Sequence, residues 1–164
     1  MFTAPRAVLV AVALAAALAV PAAADAGTSD LWATVNVCDT PRKPDRLGIR
    51  GSMPGNGLKG EMFMRFRVQY FNRKKQRWRT VSDTDADSGY LSAGSSRFKV
   101  RQTGATFHLA PPQGGSWTLR GMVDYEWRLK GRVIKRAKRF TEEGRKSISG
   151  ADPPGFSASE CEIS

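Results

Sequence analysis

Two runs of basic residues are the features of this sequence best suited to binding a ligand. Residues 73–79 (RKKQRWR) contain five cations and a tryptophan, residues 128–139 contain seven cations, and neither run contains an acid. Clustered cations attract polyanions by steering them and by releasing their counterions. We therefore predict a polyanion-binding surface made of the following residues: Arg73, Lys74, Lys75, Arg77, Trp78, Arg79, Arg128, Lys130, Arg132, Lys135, Arg136, Lys138 and Arg139.

Trp78 adds an aromatic ring to the first basic run. Tyr70 and Phe71 precede it closely, so these rings could stack on a base or on a sugar. The alternative is that both runs are solvated hairpin and edge positions, which keep the protein soluble and stop its strands from pairing with other chains. The sequence leaves both interpretations open.

An acidic stretch, Asp83-Thr-Asp85-Ala-Asp87, has the spacing with which an EF-hand calcium loop begins. The stretch then departs from that motif, because Ser88 replaces the required glycine and Gly94 replaces the closing bidentate glutamate. An acidic turn between two strands explains these residues more simply. We predict no metal site and no cofactor.

Catalytic motifs are the next class of site to consider. His108 is the only histidine, which excludes an H-E-x-x-H zinc site, and the chain contains no G-x-S-x-G serine elbow. Asp124 and Glu126 form the kind of carboxylate pair that glycoside hydrolysis uses, but pairs two positions apart are common on exposed strand faces. We predict no catalytic residues, and a hydrolase of cell-wall or glycan substrates is the least favoured alternative.

Residues 1–26 have the pattern of a cleavable secretory signal peptide. Arg6 precedes an uncharged apolar run of 14 residues, 7–20, and small residues follow. The run is shorter than the roughly 20 residues that a membrane-spanning helix needs, so no transmembrane segment is retained. We predict cleavage after Ala26, or alternatively after Ala24, and a secreted or cell-envelope location.

The chain that remains, residues 27–164, has the size of one domain. Cys38 and Cys161 are its only cysteines, and an exported protein meets an oxidising compartment in which thiols pair. We predict a Cys38–Cys161 disulfide. The alternative is two free thiols or a metal pair, but two sulfurs and one histidine fall short of a four-ligand zinc site.

Hydrophobic alternation with a period of two dominates residues 27–141 and predicts strands separated by turn residues. The clearest alternation lies in residues 61–72 and 117–129, whereas residues 142–164 lose the pattern and are predicted to form an irregular tail. We predict eight strands, Leu31–Cys38, Leu47–Met53, Glu61–Asn72, Arg77–Ser82, Phe98–Arg101, Ala105–Ala110, Trp117–Leu129 and Arg132–Thr141. Helix should be scarce.

Lys130-Gly131 is predicted to form a tight hairpin turn between the last two strands. A two-residue loop would place the cations Arg136 and Lys138 on the apolar face of the second strand. Either that strand is an edge whose long basic side chains reach back to water, or a bulge changes the register. The two-residue loop predicts the cross-strand pairs Val123–Lys138, Tyr125–Arg136, Glu126–Lys135 and Trp127–Ile134.

The strands, the export signal and the cysteines near both ends together resemble small secreted immunoglobulin-like or fibronectin-III-like β-sandwich proteins of the kind common in high-GC actinobacteria. The resemblance implies an all-β, antiparallel, immunoglobulin-like β-sandwich, and a small antiparallel β-barrel is the alternative. The chain departs from true immunoglobulin domains, whose disulfide joins two central strands. The resemblance brings no catalytic motif.

These observations favour a secreted, non-enzymatic binding module. Its expected partner is an anionic cell-envelope polymer, an acidic glycan or a lipid surface, held by the basic hairpins. Nucleic acid is disfavoured, because export removes the chain from most of it. The alternative is a structural or protein-interaction domain whose basic charge is incidental.

Overall fold

The computed structural model describes Met1 and residues 30–164, so the predicted signal peptide and its cleavage site lie outside the described residues. The regular structure of the described chain is strand, with one short 3-10 turn at Thr84–Ala86. This confirms the predicted all-β class. The strands are β1 (Trp32–Thr40), β2 (Lys43–Pro54), β3 (Glu61–Asn72), β4 (Arg77–Thr80), β5 (Asp87–Ser95), β6 (Val100–His108), β7 (Trp117–Leu129), β8 (Arg132–Phe140) and β9 (Cys161–Ile163).

The strands form two antiparallel sheets. The smaller sheet has the order β1-β2-β6, and the larger sheet has six strands arranged around β3 and β7. One edge of β3 pairs with β4 and β5, and the far edge of β7 pairs with β8 and β9. No helix in the described residues is long and apolar enough to cross a bilayer.

The core lies between the two sheets and is filled by alternate side chains of the central strands. In a strand, successive side chains point to opposite faces, so the even-numbered apolar residues of β3 and the odd-numbered residues of β7 share the inner side. Burying each such side chain contributes roughly 1.5–3 kcal/mol. The fully buried core residues include Val35, Leu47, Ile49, Met62, Met64, Phe66, Leu119, Tyr125, Trp127 and Ile163.

Gly121 of β7 lets the sheets approach closely at one point of the core. A Cβ atom at this position would lie 2.8 Å from Cδ1 of Ile49 on the opposite sheet and 2.7 Å from Cγ2 of Thr141. Both distances are shorter than carbon atoms tolerate. The absence of a side chain therefore leaves room for Ile49.

Cys38 and Cys161 form the predicted disulfide, with an S–S distance of 2.06 Å and Cα atoms 5.5 Å apart. The bond joins β1, an edge strand of the smaller sheet, to β9 in the larger sheet. It therefore links the two sheets and ties the end of the chain to the first strand.

The predicted strands differ from the observed ones in three places. β5 was not predicted, and β9 lies inside the segment predicted as an irregular tail. The predicted strands Phe98–Arg101 and Ala105–Ala110 both overlap the single strand β6, and each extends two residues beyond it. The rest of residues 142–160 is irregular but runs along β1, where Val35 N donates to Ala158 O at 2.9 Å and Asp152 N donates to Asn36 O at 2.8 Å. This segment covers the edge of β1 that does not pair with β2.

A β-bulge decides the register of the β7–β8 hairpin. The turn residues Lys130 and Gly131 both have positive φ, 50° and 75°, as a two-residue hairpin turn requires. Beyond the turn the register shifts at Ile134, so the predicted pairs are wrong and the bulge alternative is correct. The observed pairs are Val123–Arg139, Asp124–Lys138, Tyr125–Ala137, Glu126–Arg136 and Trp127–Lys135.

Candidate polyanion interface

The turns within the two basic runs lie at opposite ends of the larger sheet. β3 and β7 are antiparallel, with Tyr70 opposite Leu119 at one end and Glu61 opposite Arg128 at the other. The strand rise of roughly 3.3 Å per residue separates these ends by about 30 Å. The two turns are therefore well separated, although the second run continues along β8 back toward the first, because β8 pairs with β7 from Leu129 to Met122.

We name the ends by their hairpins. The β3–β4 end contains the turns at residues 41–42 and 73–76 and the loop at residues 109–116. The β7–β8 end contains the loop at residues 55–60 and the turns at residues 96–99 and 130–131. The strand pairings place the turns of each group together, because the strands of both sheets begin or end there.

The cations of the β3–β4 hairpin are free of acidic partners. All five are exposed, and among residues 30–164 none has a carboxylate oxygen within 4.0 Å. Hydrogen bonds fix the backbone of the turn that carries them: Lys75 N donates to Oδ1 of Asn72 at 2.9 Å, and Nε2 of Gln76 donates to the Arg73 carbonyl at 2.6 Å. The cations are Arg73, Lys74, Lys75, Arg77 and Arg79.

Three of the seven cations in the second run are paired with acids of β7. Glu126, whose side chain is only 4% exposed, accepts from Nε of Arg128 at 2.9 Å and from Nε of Arg136 at 3.0 Å. Lys138 Nζ lies 3.7 Å from Asp124. The remaining cations are Lys130, Arg132, Lys135 and Arg139, of which Lys135 lies 5.0 Å from the Trp127 ring.

The surroundings of Glu126 set its protonation state. Burial alone would raise the pKa of this carboxyl, but hydrogen bonds from Arg128, Arg136 and Tyr90 outweigh burial and hold the pKa below its usual range. Asp124 on the same face also accepts from Arg67. Both members of the pair considered as a possible hydrolytic dyad are thus engaged by cations, and the lowered pKa of Glu126 favours its carboxylate over the protonated form that general-acid catalysis needs.

The predicted stacking residue Trp78 is already in contact with other side chains. The guanidinium carbon of Arg120 lies 4.3 Å from its ring centroid, and Phe71 packs edge-on against it at 5.4 Å. A second pair of rings, Tyr70 and Trp117, lies beside the loop at residues 109–116, with centroids 5.6 Å apart. Sequence reasoning did not assign Trp117 to the site, because its place in the alternating pattern is that of a core residue.

Tyr70 and Trp117 line two clefts at the β3–β4 end. The first, of about 340 Å³, is also lined by Arg73 and Lys74, and the second, of about 390 Å³, is also lined by His108. A third cleft of about 450 Å³ lies beside His108 and is lined by three further cations that sequence reasoning missed, Arg42, Lys43 and Arg46. The sequence feature that could have identified them is the short basic segment 42–46, in which one proline and one aspartate separate the cations.

The acidic stretch after β4 has structural contacts. Oδ1 of Asp83 accepts from the backbone N–H of Asp85 at 3.0 Å and caps the 3-10 turn. Asp87 accepts from Nε of Arg65 at 2.8 Å, and this hydrogen bond lowers the pKa of Asp87. Within residues 30–164, no three His, Cys, Asp or Glu side chains are grouped closely enough to hold a metal ion.

The candidate site is therefore the β3–β4 hairpin with the clefts beside it. It offers the five unpaired cations of the hairpin, polar turn atoms and two partly exposed rings, whereas Arg42 in the adjoining cleft is paired with Asp152. Comparison of the chain with protein-family models, with curated proteins and with solved structures finds no match.

Proposed function

We propose that this protein is an exported, non-enzymatic binding module that attaches to an anionic extracellular polymer through the β3–β4 hairpin. The observation that carries the proposal is the set of five exposed cations in residues 73–79 with no acidic partner in the described chain. In this proposal residues 1–26 are the export signal, and the two-sheet architecture supports an immunoglobulin-like layout.

The contrast between the two basic runs supports this choice of hairpin. A cation that is already paired with a buried carboxylate gains little from a new anion, because the existing contact has to be broken first. In the β7–β8 hairpin, Glu126 and Asp124 hold three cations in this way. In the β3–β4 hairpin each cation is exposed to solvent and unpaired, so binding would exchange water and counterions for ligand oxygens.

The chemistry of the hairpin fits carboxylate or phosphate groups repeated along a flexible chain. Three of the five cations are arginines, whose planar guanidinium groups bind such groups through two parallel hydrogen bonds. The cleft of about 340 Å³ beside Arg73 and Lys74 can accept one repeat of the polymer next to Tyr70 and Trp117. A wall polymer of glycerol phosphate and a glycan of uronic acids both have this form.

The test is a binding titration of the disulfide-bonded protein against each of these two polymers across a salt series. A variant with Arg73, Lys74, Lys75, Arg77 and Arg79 changed to Gln should lose about tenfold or more in affinity and show a flatter salt dependence. The matched control removes the same charge from the other end of the sheet, by changing Lys59, Arg97, Lys99, Lys130 and Arg132 to Gln.

The control should retain most of the affinity and most of the salt dependence for both polymers. Equal losses in the two variants would show that net charge, and not the β3–β4 hairpin, controls binding. No binding of the unaltered protein at any salt concentration would contradict the proposed function and leave the charge a role in solubility.

A further inference from the structure

The β7–β8 end exposes large apolar side chains on two loops that are joined to each other. Phe98 is 52% exposed and Leu58 is 46% exposed. Backbone hydrogen bonds connect their loops, since Gly55 N donates to Lys99 O at 2.9 Å and Asn56 N donates to Ser96 O at 3.0 Å. The two apolar side chains therefore project from one ordered tip.

The β7–β8 hairpin adds further apolar surface at the same end. Glu61, at the start of β3, is paired with Ser95 on one side and with Arg128 on the other, so the two turns flank it. Ile134, the bulge residue of β8, is 48% exposed. Besides Met1, the exposed large apolar residues of the described chain are Leu58, Tyr90, Phe98, Val100, Val133, Ile134 and Phe140, and all but Tyr90 and Phe140 belong to this end.

Cations alternate with these apolar residues along each loop. Lys59 follows Leu58, Arg97 and Lys99 flank Phe98, and the guanidinium carbon of Arg101 lies 3.8 Å from the Phe98 ring centroid. Glu61 is exposed beside them. On the loops and turns of this end and at the start of β8, the exposed cations without a salt-bridge partner among residues 30–164 are Lys59, Arg97, Lys99, Lys130 and Arg132.

We propose that the β7–β8 end is a contact tip for an anionic lipid bilayer. An apolar side chain enters the boundary between headgroups and acyl chains, while neighbouring cations contact lipid phosphates, and the alternation along these loops supplies both interactions in one place. A water-soluble polyanion would use the cations but would leave Phe98, Leu58 and Ile134 in water. The charge complementarity and the apolar tip together favour the membrane surface.

This inference concerns a different surface and a different ligand from the proposed polymer site. The separation of about 30 Å between the two ends, set by the length of β3 and β7, lets each end make its contact without covering the other. The protein would then hold an anionic polymer close to a membrane.

Vesicle co-sedimentation of the full disulfide-bonded protein tests the tip. The vesicles contain phosphatidylcholine with or without phosphatidylglycerol, and the wild type should bind only when the anionic lipid is present. Changing Phe98 and Leu58 to Ser should weaken binding about tenfold, and neutralising the five tip cations should weaken it by about fivefold for each cation that contacts lipid. Phe98 and Leu58 are both exposed, so circular dichroism of the variant with serine at these two positions should show an unaltered fold.

The matched control is the variant neutralised at the β3–β4 hairpin, which should bind the vesicles like the wild type. Its failure to bind, or unchanged binding of the Phe98→Ser, Leu58→Ser variant, would overturn the tip. The two proposals fail separately, because the Ser variant should keep its affinity for the soluble polymers. Loss of polymer affinity in the Ser variant without loss of vesicle binding would assign the tip to the polymer and would also overturn the membrane contact.

Discussion

Arg120 lies over the indole ring of Trp78, with its guanidinium carbon 4.3 Å from the ring centroid. The same guanidinium lies 4.1 Å from the ring centroid of Phe140, and Nε of Arg120 donates to Oε1 of Gln69 at 2.9 Å. One arginine thus connects four strands, β3, β4, β7 and β8, across the outer face of the larger sheet. Burial lowers the pKa of Arg120, in agreement with its position between two rings.

This contact predicts that Trp78 stabilises the fold and does not bind the ligand. Trp78→Ala removes one cation–π contact and one edge-on aromatic pair, which together should lower the free energy of unfolding by about 1–2.5 kcal/mol. Chemical denaturation measures this loss. Polymer affinity of the folded variant should stay close to that of the wild type, and an unchanged stability with a large loss of affinity would contradict the structural role.

The central strands of the larger sheet were predictable with their bounds. Residues 61–72 and 117–129 alternate because one face of each strand is buried by the other sheet, and burial is what selects apolar residues. β5 has the sequence DSGYLSAGS and buries none of its side chains completely, so its pairing with β3 leaves no alternation to detect. β9 could not be predicted from alternation either, because it is only three residues long and is held by a disulfide between distant positions.

The sites could be predicted only in part. The sequence identifies both basic runs, but it does not show that Glu126 would neutralise Arg128 and Arg136, because that contact depends on the strand pairing and, for Arg136, on a bulge at Ile134. No turn residue or proline marks this bulge. The contact of Arg120 with Trp78 is likewise set by the order of strands in the sheet, which alternation does not encode.

The disulfide should supply a large part of the stability of this fold. Cys38 and Cys161 are 123 positions apart, and closing a loop of this length removes chain entropy from the unfolded state worth up to about 5 kcal/mol. Changing both cysteines to Ser should lower the free energy of unfolding toward that limit, as measured by denaturation in urea. Reduced wild type should match the double variant, and a loss of well under 1 kcal/mol would show that the contacts of β9 hold the end of the chain without the bond.

The pKa of Glu126 predicts a loss of stability in acid. Its pKa is lower in the folded protein than in the unfolded chain, so below about pH 4.3, the usual value for glutamate, the unfolded chain binds the proton first. Stability supplied by this group is complete above that pH and is lost as the pH falls through the folded-state pKa. Measuring unfolding free energy from pH 6 to pH 3 should give a shallower decline in Glu126→Gln than in the wild type.

The same variant should be less stable than the wild type at pH 6. It removes charged hydrogen bonds to Arg128 and Arg136, and the loss should be about 1–2 kcal/mol, reduced from the buried value because Arg136 is exposed. Asp87→Asn is a useful comparison, since Asp87 also has a lowered pKa through Arg65 but lies on a different strand. Parallel pH profiles for Glu126→Gln and the wild type would exclude Glu126 as a source of the acid sensitivity.

The hydroxyl of Tyr125 holds the first strand, β1, to the larger sheet. It donates a hydrogen bond of 2.6 Å to the backbone carbonyl of Trp32, and both residues are buried. Burial raises the pKa of Tyr125, so the hydroxyl keeps its proton and remains a donor. Tyr125→Phe leaves the carbonyl without this partner and should cost about 1–3 kcal/mol.

The effect should be local as well as global, because Trp32 begins β1 and no later residue of that strand depends on this bond. Amide hydrogen exchange should therefore accelerate most at the start of β1 and least in β3. Tyr70→Phe is the control, since the Tyr70 hydroxyl makes no hydrogen bond to any residue in the described part of the chain. Equal losses of stability in the two variants would mean that the bond to Trp32 contributes nothing beyond what removal of any tyrosine hydroxyl costs.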